Sequence, residues 1–182
     1  MATKPLPDAD TLRKLLDYNP ETGVLTWRQR PLCRFPNLRA ATSWNAKYAG
    51  KPTGNHDGYR GYLWVRIEGR SYKSHRVAWL IVTGKWPSAM IDHINNDPAD
   101  NRFCNLREAS RSENSRNRKL NTDSVSGFKG VRWRAARRRW EATIRVEGKL
   151  HRLGRFDTAE EAHEAYCKAA RELHGEFFNP GH

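Results

Sequence analysis

Residues 130–174 constrain the fold most. Three strand-like runs, Gly130 to Arg134, Trp140 to Val146 and His151 to Phe156, follow one another across short gaps. A long helix is predicted after them, from Thr158 to His174. Asp157-Thr158-Ala159-Glu160-Glu161 supplies its capping signal. Ala162, Ala165, Tyr166, Ala169, Ala170 and Leu173 recur along it at steps of three and four, which gives the helix one apolar face. Three short strands beside one amphipathic helix form a sheet packed on a helix, a small self-contained domain. Alternation along the first strand puts Arg132 and Arg134 on one face and Trp133 on the other.

The chain has 182 residues, enough for one domain or two small ones. Thr122-Asp123-Ser124-Val125-Ser126, before Gly127, reads as a linker. The expected division is therefore 1–121, a linker over 122–126, and 127–182. Lys and Arg number 33 against 20 Asp and Glu, a formal net charge of +13. Such an excess points to a polyanionic partner, because phosphate contacts release counterions. Aromatic residues make up 10%, with seven Trp, which excludes a disordered basic tail. No apolar run approaches the ~20 residues that cross a bilayer. The first residues, Met1 to Asp8, lack the apolar stretch of a signal peptide. The expectation is a cytoplasmic, intracellular protein with no membrane partner. Cys33, Cys104 and Cys167 are far apart and form no Cys-x-x-Cys pair, so no structural zinc is expected.

The N-terminal part reads as a helix over Asp8 to Asp17, capped by Asp8 or Asp10, with Leu12, Leu15 and Leu16 on its apolar face. A turn over Asn19 to Gly23 and a strand over Val24 to Trp27 follow. Arg28 to Gly54 shows no period and is expected to be a long loop. Tyr59 to Ile67 and Ser71 to Lys73 form a hairpin about Glu68-Gly69-Arg70. A helix follows to Thr83, with Ser74 as its cap and Gly84 as its stop.

Residues 90–118 carry the chemistry. Met90 to Ile94 and Leu106 to Ala109 read as two strands joined by a polar turn. Ser110-x-x-Glu113 is a capping box that starts a helix and places Asn114 one turn inside it. Phosphodiester hydrolysis needs a base for water and a cation to neutralise phosphate charge. His93 is the candidate base, with an ordinary pKa of ~6.5. Asp92 offers a hard oxygen of the kind Mg²⁺ takes. Because adjacent strand residues point to opposite faces, joint use of Asp92 and His93 requires irregular backbone there.

The run Asp92-His93-Ile-Asn-Asn-Asp97, then Asp100-Asn101-Arg102, Asn105-Leu-Arg107 and Ser112-Glu113-Asn114-x-x-Asn117-Arg118, resembles the HNH endonucleases. The closest branch is the phage-encoded, homing type without structural zinc. The resemblance is strong over residues 59–118. It implies a ββα-metal nuclease module with an N-terminal α/β embellishment. By position it makes His93 the general base and Asn105 the middle residue of the name, tying the turn to the hairpin. It makes Asp92 and Asn114 ligands of one divalent ion, Mg²⁺ or Mn²⁺. His75 also recurs in this family, and a structural role is expected for it.

Gly130-Val131-Arg132-Trp133-Arg134, Arg137-Arg138-Arg139-Trp140-Glu141-Ala142-Thr143-Ile144-Arg145 and Leu153-Gly154-Arg155-Phe156-Asp157-Thr158-Ala159-Glu160-Glu161 form a second string. It resembles the APETALA2/ethylene-response-factor DNA-binding domain over residues 126–179. That resemblance implies a three-stranded antiparallel sheet that enters the major groove. Arg132, Arg134, Trp140 and Arg145 match its DNA-contacting positions. Arg152 stands where plant domains carry Trp, and Arg137, Arg138 and Arg139 add charge beside the first turn. The whole reading is an α+β, monomeric, metal-dependent DNA endonuclease acting on double-stranded DNA without a small-molecule cofactor. The rival is a non-catalytic DNA-binding regulator that retains the HNH fold.

Overall fold

The computed structural model describes residues 5–56, 60–120 and 124–181. Tyr59, from the expected hairpin, and Thr122 and Asp123, from the expected linker, lie outside them. The chain is mixed α+β and divides into two compact units, Met1–Glu108 and Ala109–His182. This division falls before the helix at Ser110, whereas the expected boundary falls after it.

In the first unit, α1 (Ala9–Leu15) is capped by Asp8, whose side chain accepts from the Thr11 amide. The expected helix is shorter than 8–17, because Leu16 leaves it to begin β1 (Leu16–Tyr18). β1 pairs antiparallel with β2 (Leu25–Trp27), and β3 (Pro52–Thr53) completes that sheet. A second sheet holds β4 (Asn55–His56), β5 (Leu63–Ile67) and β6 (Arg70–Lys73). Glu68 and Gly69 both take positive φ, 48° and 85°, the two-residue turn that matches strand twist. α3 (Ser74–Thr83) ends at Gly84 in the left-handed conformation. Its cap position is Lys73, without a side-chain bond, so Ser74 lies inside the helix rather than capping it.

Val77 and Leu80 of α3 pack with Leu12, Leu15, Leu25 and Val65. Ala78, from the same helix, packs with Ile91 and Leu106. Those two belong to β7 (Met90–His93) and β8 (Leu106–Ala109), which form a two-stranded sheet. One helix thus ties the chemistry-bearing hairpin to the main core. Truncating Leu80, 1% exposed, to Ala carries the usual core cost of about 2–5 kcal/mol.

The stretch expected to be a loop contains α2 (Leu38–Tyr48), capped by Asn37 through the Ala40 amide. Only Ala41 of this helix is buried, so no apolar period announces it. It is held by aromatic packing instead. Trp44 meets Trp27 edge-on at 5.7 Å, and the Arg30 guanidinium lies 4.0 Å over the Trp44 ring.

In the second unit, α4 (Arg111–Asn117) has the expected capping box. Ser110 accepts from the Glu113 amide, and the Glu113 carboxylate accepts from the Ser110 amide. The Lys129 ammonium holds its far end, donating to the carbonyls of Arg116 (2.6 Å), Arg118 (2.8 Å) and Asn179 (3.0 Å). The Asn179 amide also donates to Asn117. A cation on the last carbonyls is what a helix C-terminus favours.

β9 (Val131–Arg134), β10 (Arg139–Val146) and β11 (Lys149–Phe156) form the antiparallel sheet, with β10 central. α5 (Ala159–His174), with a capping box of Thr158 and Glu161, packs on one face through Ile144, Tyr166, Cys167 and Ala170. Gly130 sits at φ 76°, and a Cβ there would fall 2.1 Å from the Tyr166 ring, so this close approach requires glycine.

Candidate nuclease site and nucleic-acid interface

β7 carries Asp92 and His93, both buried. The strand is regular through His93, and the irregular backbone expected at the pair begins one residue later. There the chain turns, and Asn96 adopts φ 60°. Strand alternation therefore sends the two side chains to different partners. Oδ2 of Asp92 receives Nε (2.9 Å) and Nη2 (2.8 Å) of Arg107 on β8. Both partners are nearly buried, the setting in which a guanidinium fork is a strong and geometrically specific donor.

His93 Nε2 lies 3.1 Å from Oδ1 of Asn101, itself 2% exposed. With an amide oxygen as acceptor, the neutral ring carries its proton on Nε2 and its lone pair on Nδ1. Burial pulls the His93 pKa down, against the opposing influence of the Asn101 bond and the nearby Asp92, Asp100 and Asp97 carboxylates. His75, at the start of α3, meets the His93 ring edge-on at 4.9 Å, and Tyr62 lies 5.4 Å from His75. Burial, then the neighbouring His93 and the cations of Lys73 and Arg76, lower His75 to about 3, so it is neutral at physiological pH.

Asn105 closes the 3-10 turn Phe103–Asn105, just before β8. Its Oδ1 accepts from the Asn95 amide at 3.0 Å. Its Nδ2 donates to Asn95 Oδ1 at 2.9 Å and to the Asp100 carbonyl at 2.8 Å. It fastens the polar turn and does not itself contact His93 through these bonds. Asp100 binds the Arg102 fork and the Asn95 amide, and the Arg102 bond leads in holding its pKa down at about 2.

Sequence reasoning missed Asn101, the residue that orients His93. It also missed what holds Asn101. The Tyr18 hydroxyl donates to the Asn101 carbonyl at 2.7 Å, and the Phe103 amide donates to the Pro20 carbonyl at 2.9 Å. Gly23, at φ 74°, lets the 19–23 turn lie against this segment. A Cβ there would come within 2.5 Å of Arg102 N and the Asn101 carbonyl carbon. Buried asparagine on a polar turn was the available signal. Asn114 is part-exposed on α4 and belongs to the second unit.

In the second unit, strand register places Arg132, Arg134, Arg139, Glu141, Thr143, Arg145, Arg152 and Arg155 on the sheet face opposite α5. Arg145 donates to the Gly148 carbonyl at 2.8 Å, and Arg139 pairs with Asp157. Arg137 closes a short 3-10 turn and Arg138 follows it in the left-handed conformation, both exposed. Arg139 is the first residue of β10 rather than part of the tip. Trp140 shares the face of Ala142 and Ile144, half-buried with its ring 5.0 Å from Trp133, which is the face away from the arginines.

A hairpin with a buried histidine and aspartate precedes a capped helix in the first part of the chain, and an arginine-covered sheet backed by one helix follows it. Residues 72–116 match the family model described as HNH endonuclease, and residues 126–176 match that of the AP2 domain. The chain is 37% identical over 106 residues to "Protein 3.8" of Escherichia phage T7, covering 58% of this chain and 87% of that one. It is 35% identical over 108 residues to "Uncharacterized HNH endonuclease L560" of Acanthamoeba polyphaga mimivirus, covering 58% of this chain and 55% of that one. No solved structure matches. The chain belongs to the HNH endonuclease family, with an AP2 domain following the nuclease domain. Among the described residues no helix is long and apolar enough to cross a membrane.

Proposed function

We propose that this chain is a metal-dependent endonuclease that hydrolyses phosphodiester bonds of double-stranded DNA, while its AP2 domain grips the duplex. The observation that carries the reading is the buried Asn101–His93 bond beside Asp92. A neutral imidazole, fixed by its Nε2 proton, has the form of a general base. Nδ1 takes a proton from water, the resulting hydroxide attacks phosphorus, and the bond to the departing oxygen breaks. Asn105 keeps the turn in shape and is a positioning residue here.

Among the described residues no three His, Cys, Asp or Glu side chains cluster as a metal site. A hard cation such as Mg²⁺ binds through few carboxylates and takes its other oxygens from water and phosphate. Asp92 accepts from Arg107 through Oδ2 and offers a hard carboxylate oxygen of the kind Mg²⁺ takes. Asp92, with Asn114 by family position, would hold one Mg²⁺ or Mn²⁺, which would neutralise phosphate charge when bound.

Supercoiled plasmid incubated with full-length protein and Mg²⁺ should be nicked or linearised. His93→Ala should lose about 10²–10⁴-fold in rate while binding duplex as before. Near-normal cleavage by His93→Ala would remove that residue from its role. Asn114→Ala should weaken the response to Mg²⁺, and raised metal should restore part of it. Binding without any cleavage by the intact chain would favour a DNA-binding regulator.

A further inference from the structure

Glu141 lies at the centre of the arginine face and is 1% exposed. Its Oε2 receives Arg134 Nε at 2.7 Å and Nη2 at 2.6 Å. Its Oε1 receives Arg152 Nε at 2.8 Å and Arg155 Nε at 3.4 Å. Three guanidiniums, each 39–61% exposed, thus converge on one buried carboxylate. Burial pushes the Glu141 pKa up, but the Arg134 hydrogen bond and the Arg134 and Arg152 cations outweigh it and hold the group below its ordinary value. The cluster comes from all three strands. Arg134 stands on β9, Glu141 on β10, and Arg152 and Arg155 on β11, with Glu141 directly opposite Arg155 in register.

For electrostatic attraction alone Glu141 is a loss, since it cancels one positive charge. What it supplies is order. Long arginine side chains lose rotamer freedom when they are fixed on a ligand, at about 0.5–1.5 kcal/mol each. Here each guanidinium turns its Nε toward the carboxylate before any ligand arrives. The opposite, Nη1 side of each fork is thereby directed away from Glu141 in a set orientation. A set orientation matters little for phosphate, which accepts from many directions. It matters for a base edge, where the O6 and N7 acceptors of guanine lie in one plane and at one depth in the major groove. A bulge in β11, where Leu153 has no partner across from β10, brings Arg152 and Arg155 to the same carboxylate although they are three residues apart.

We infer that Glu141 is a positioning residue that makes Arg134, Arg152 and Arg155 one preformed platform for guanine edges of duplex DNA. The inference rests on the reading that this unit grips duplex. It predicts a separation between discrimination and affinity. The test selects a preferred duplex from a random pool with the full-length chain. Binding to that duplex and to a scrambled one is then measured across a salt series for wild type, Glu141→Gln, Glu141→Asp and Arg152→Gln. Glu141→Gln should lower the preferred-to-scrambled ratio by about tenfold. Its affinity for scrambled duplex should hold or rise, because the face gains a net positive charge. Glu141→Asp, which keeps the carboxylate, should retain more of the ratio. Arg152→Gln changes an exposed side chain, leaves the fold intact, and should also lower the ratio. An unchanged ratio in Glu141→Gln and Arg152→Gln, or an equal loss on both duplexes, overturns the platform. A wild type that binds strongly and salt-dependently without preference overturns it too, and leaves duplex binding standing. Failure to bind any duplex overturns both readings.

Discussion

Each unit is organised around one buried carboxylate, and the two are used in opposite ways. Asp92 meets a single guanidinium, Arg107, in a nearly closed setting. The pair carries one charge of each sign. Glu141 meets three guanidiniums at the surface, and the cluster keeps an excess of positive charge. The first arrangement closes one guanidinium against the β7–β8 hairpin. The second displays charge in a fixed pattern. The contrast shows that a buried carboxylate can close off a single arginine or display several.

The largest effect should come from breaking the closed pair. Asp92→Ala leaves Arg107 buried without its partner, at a cost of about 3–5 kcal/mol. Urea unfolding of the full chain checks this. Glu141→Gln should cost far less, because its arginines reach water. Similar losses in the two variants would erase the comparison.

Gly23→Ala comes next. The added Cβ meets main chain of Asn101 and Arg102, and φ 74° disfavours any side chain there. A loss of about 1–3 kcal/mol is expected. Cleavage should fall even where the protein remains folded, because Asn101 is displaced from His93. Duplex binding through the AP2 domain should be unchanged. Normal cleavage in folded Gly23→Ala protein would mean that the 19–23 turn does not buttress the base.

The imidazoles give a pH test. His75 has a folded pKa of about 3, below its unfolded value, so the unfolded chain binds more protons between those pH values. The stability contributed by neutral His75 is therefore present above pH ~6.5 and declines as pH falls toward 3. Between pH 7.5 and 5 this amounts to about 2 kcal/mol. His75→Asn should flatten that part of the profile. A profile as steep as that of wild type would contradict a buried neutral His75.

The smallest effects belong to the exposed tip. Arg137→Ala and Arg138→Ala should weaken binding to all sequences alike and each reduce the slope of log affinity against log salt by about 0.9. A change in preference between duplexes would move these residues from backbone contact to base reading.

How much of this was legible in the sequence depends on the kind of force involved. The C-terminal sheet and helix were readable because Ala162, Tyr166 and Ala170 repeat at helical spacing and Ile144 alternates with arginine. The capping box at Ser110 and Glu113 was readable because it is a local hydrogen-bond pattern. α2 was not, because Trp44 and Arg30 hold it by ring packing that leaves no periodic stripe. Asp92, His93 and Asn105 were legible as a motif. The role of Asn101 was not, because it depends on Tyr18, 83 residues away, and on the close approach of Gly23. In the sequence Glu141 is a single acid within an arginine-rich run. Its importance appears only when register brings three strands together.

The most direct measurement follows binding and cleavage in one reaction. Full-length protein is mixed with supercoiled plasmid in Mg²⁺, then again with chelator, and both the protein-bound and the cut fractions are recorded. The account predicts that chelator abolishes cutting and leaves binding and its salt slope nearly unchanged, since the arginine face of the sheet needs no metal to meet phosphate. Cutting that persists in chelator, or binding that disappears with it, would contradict the account.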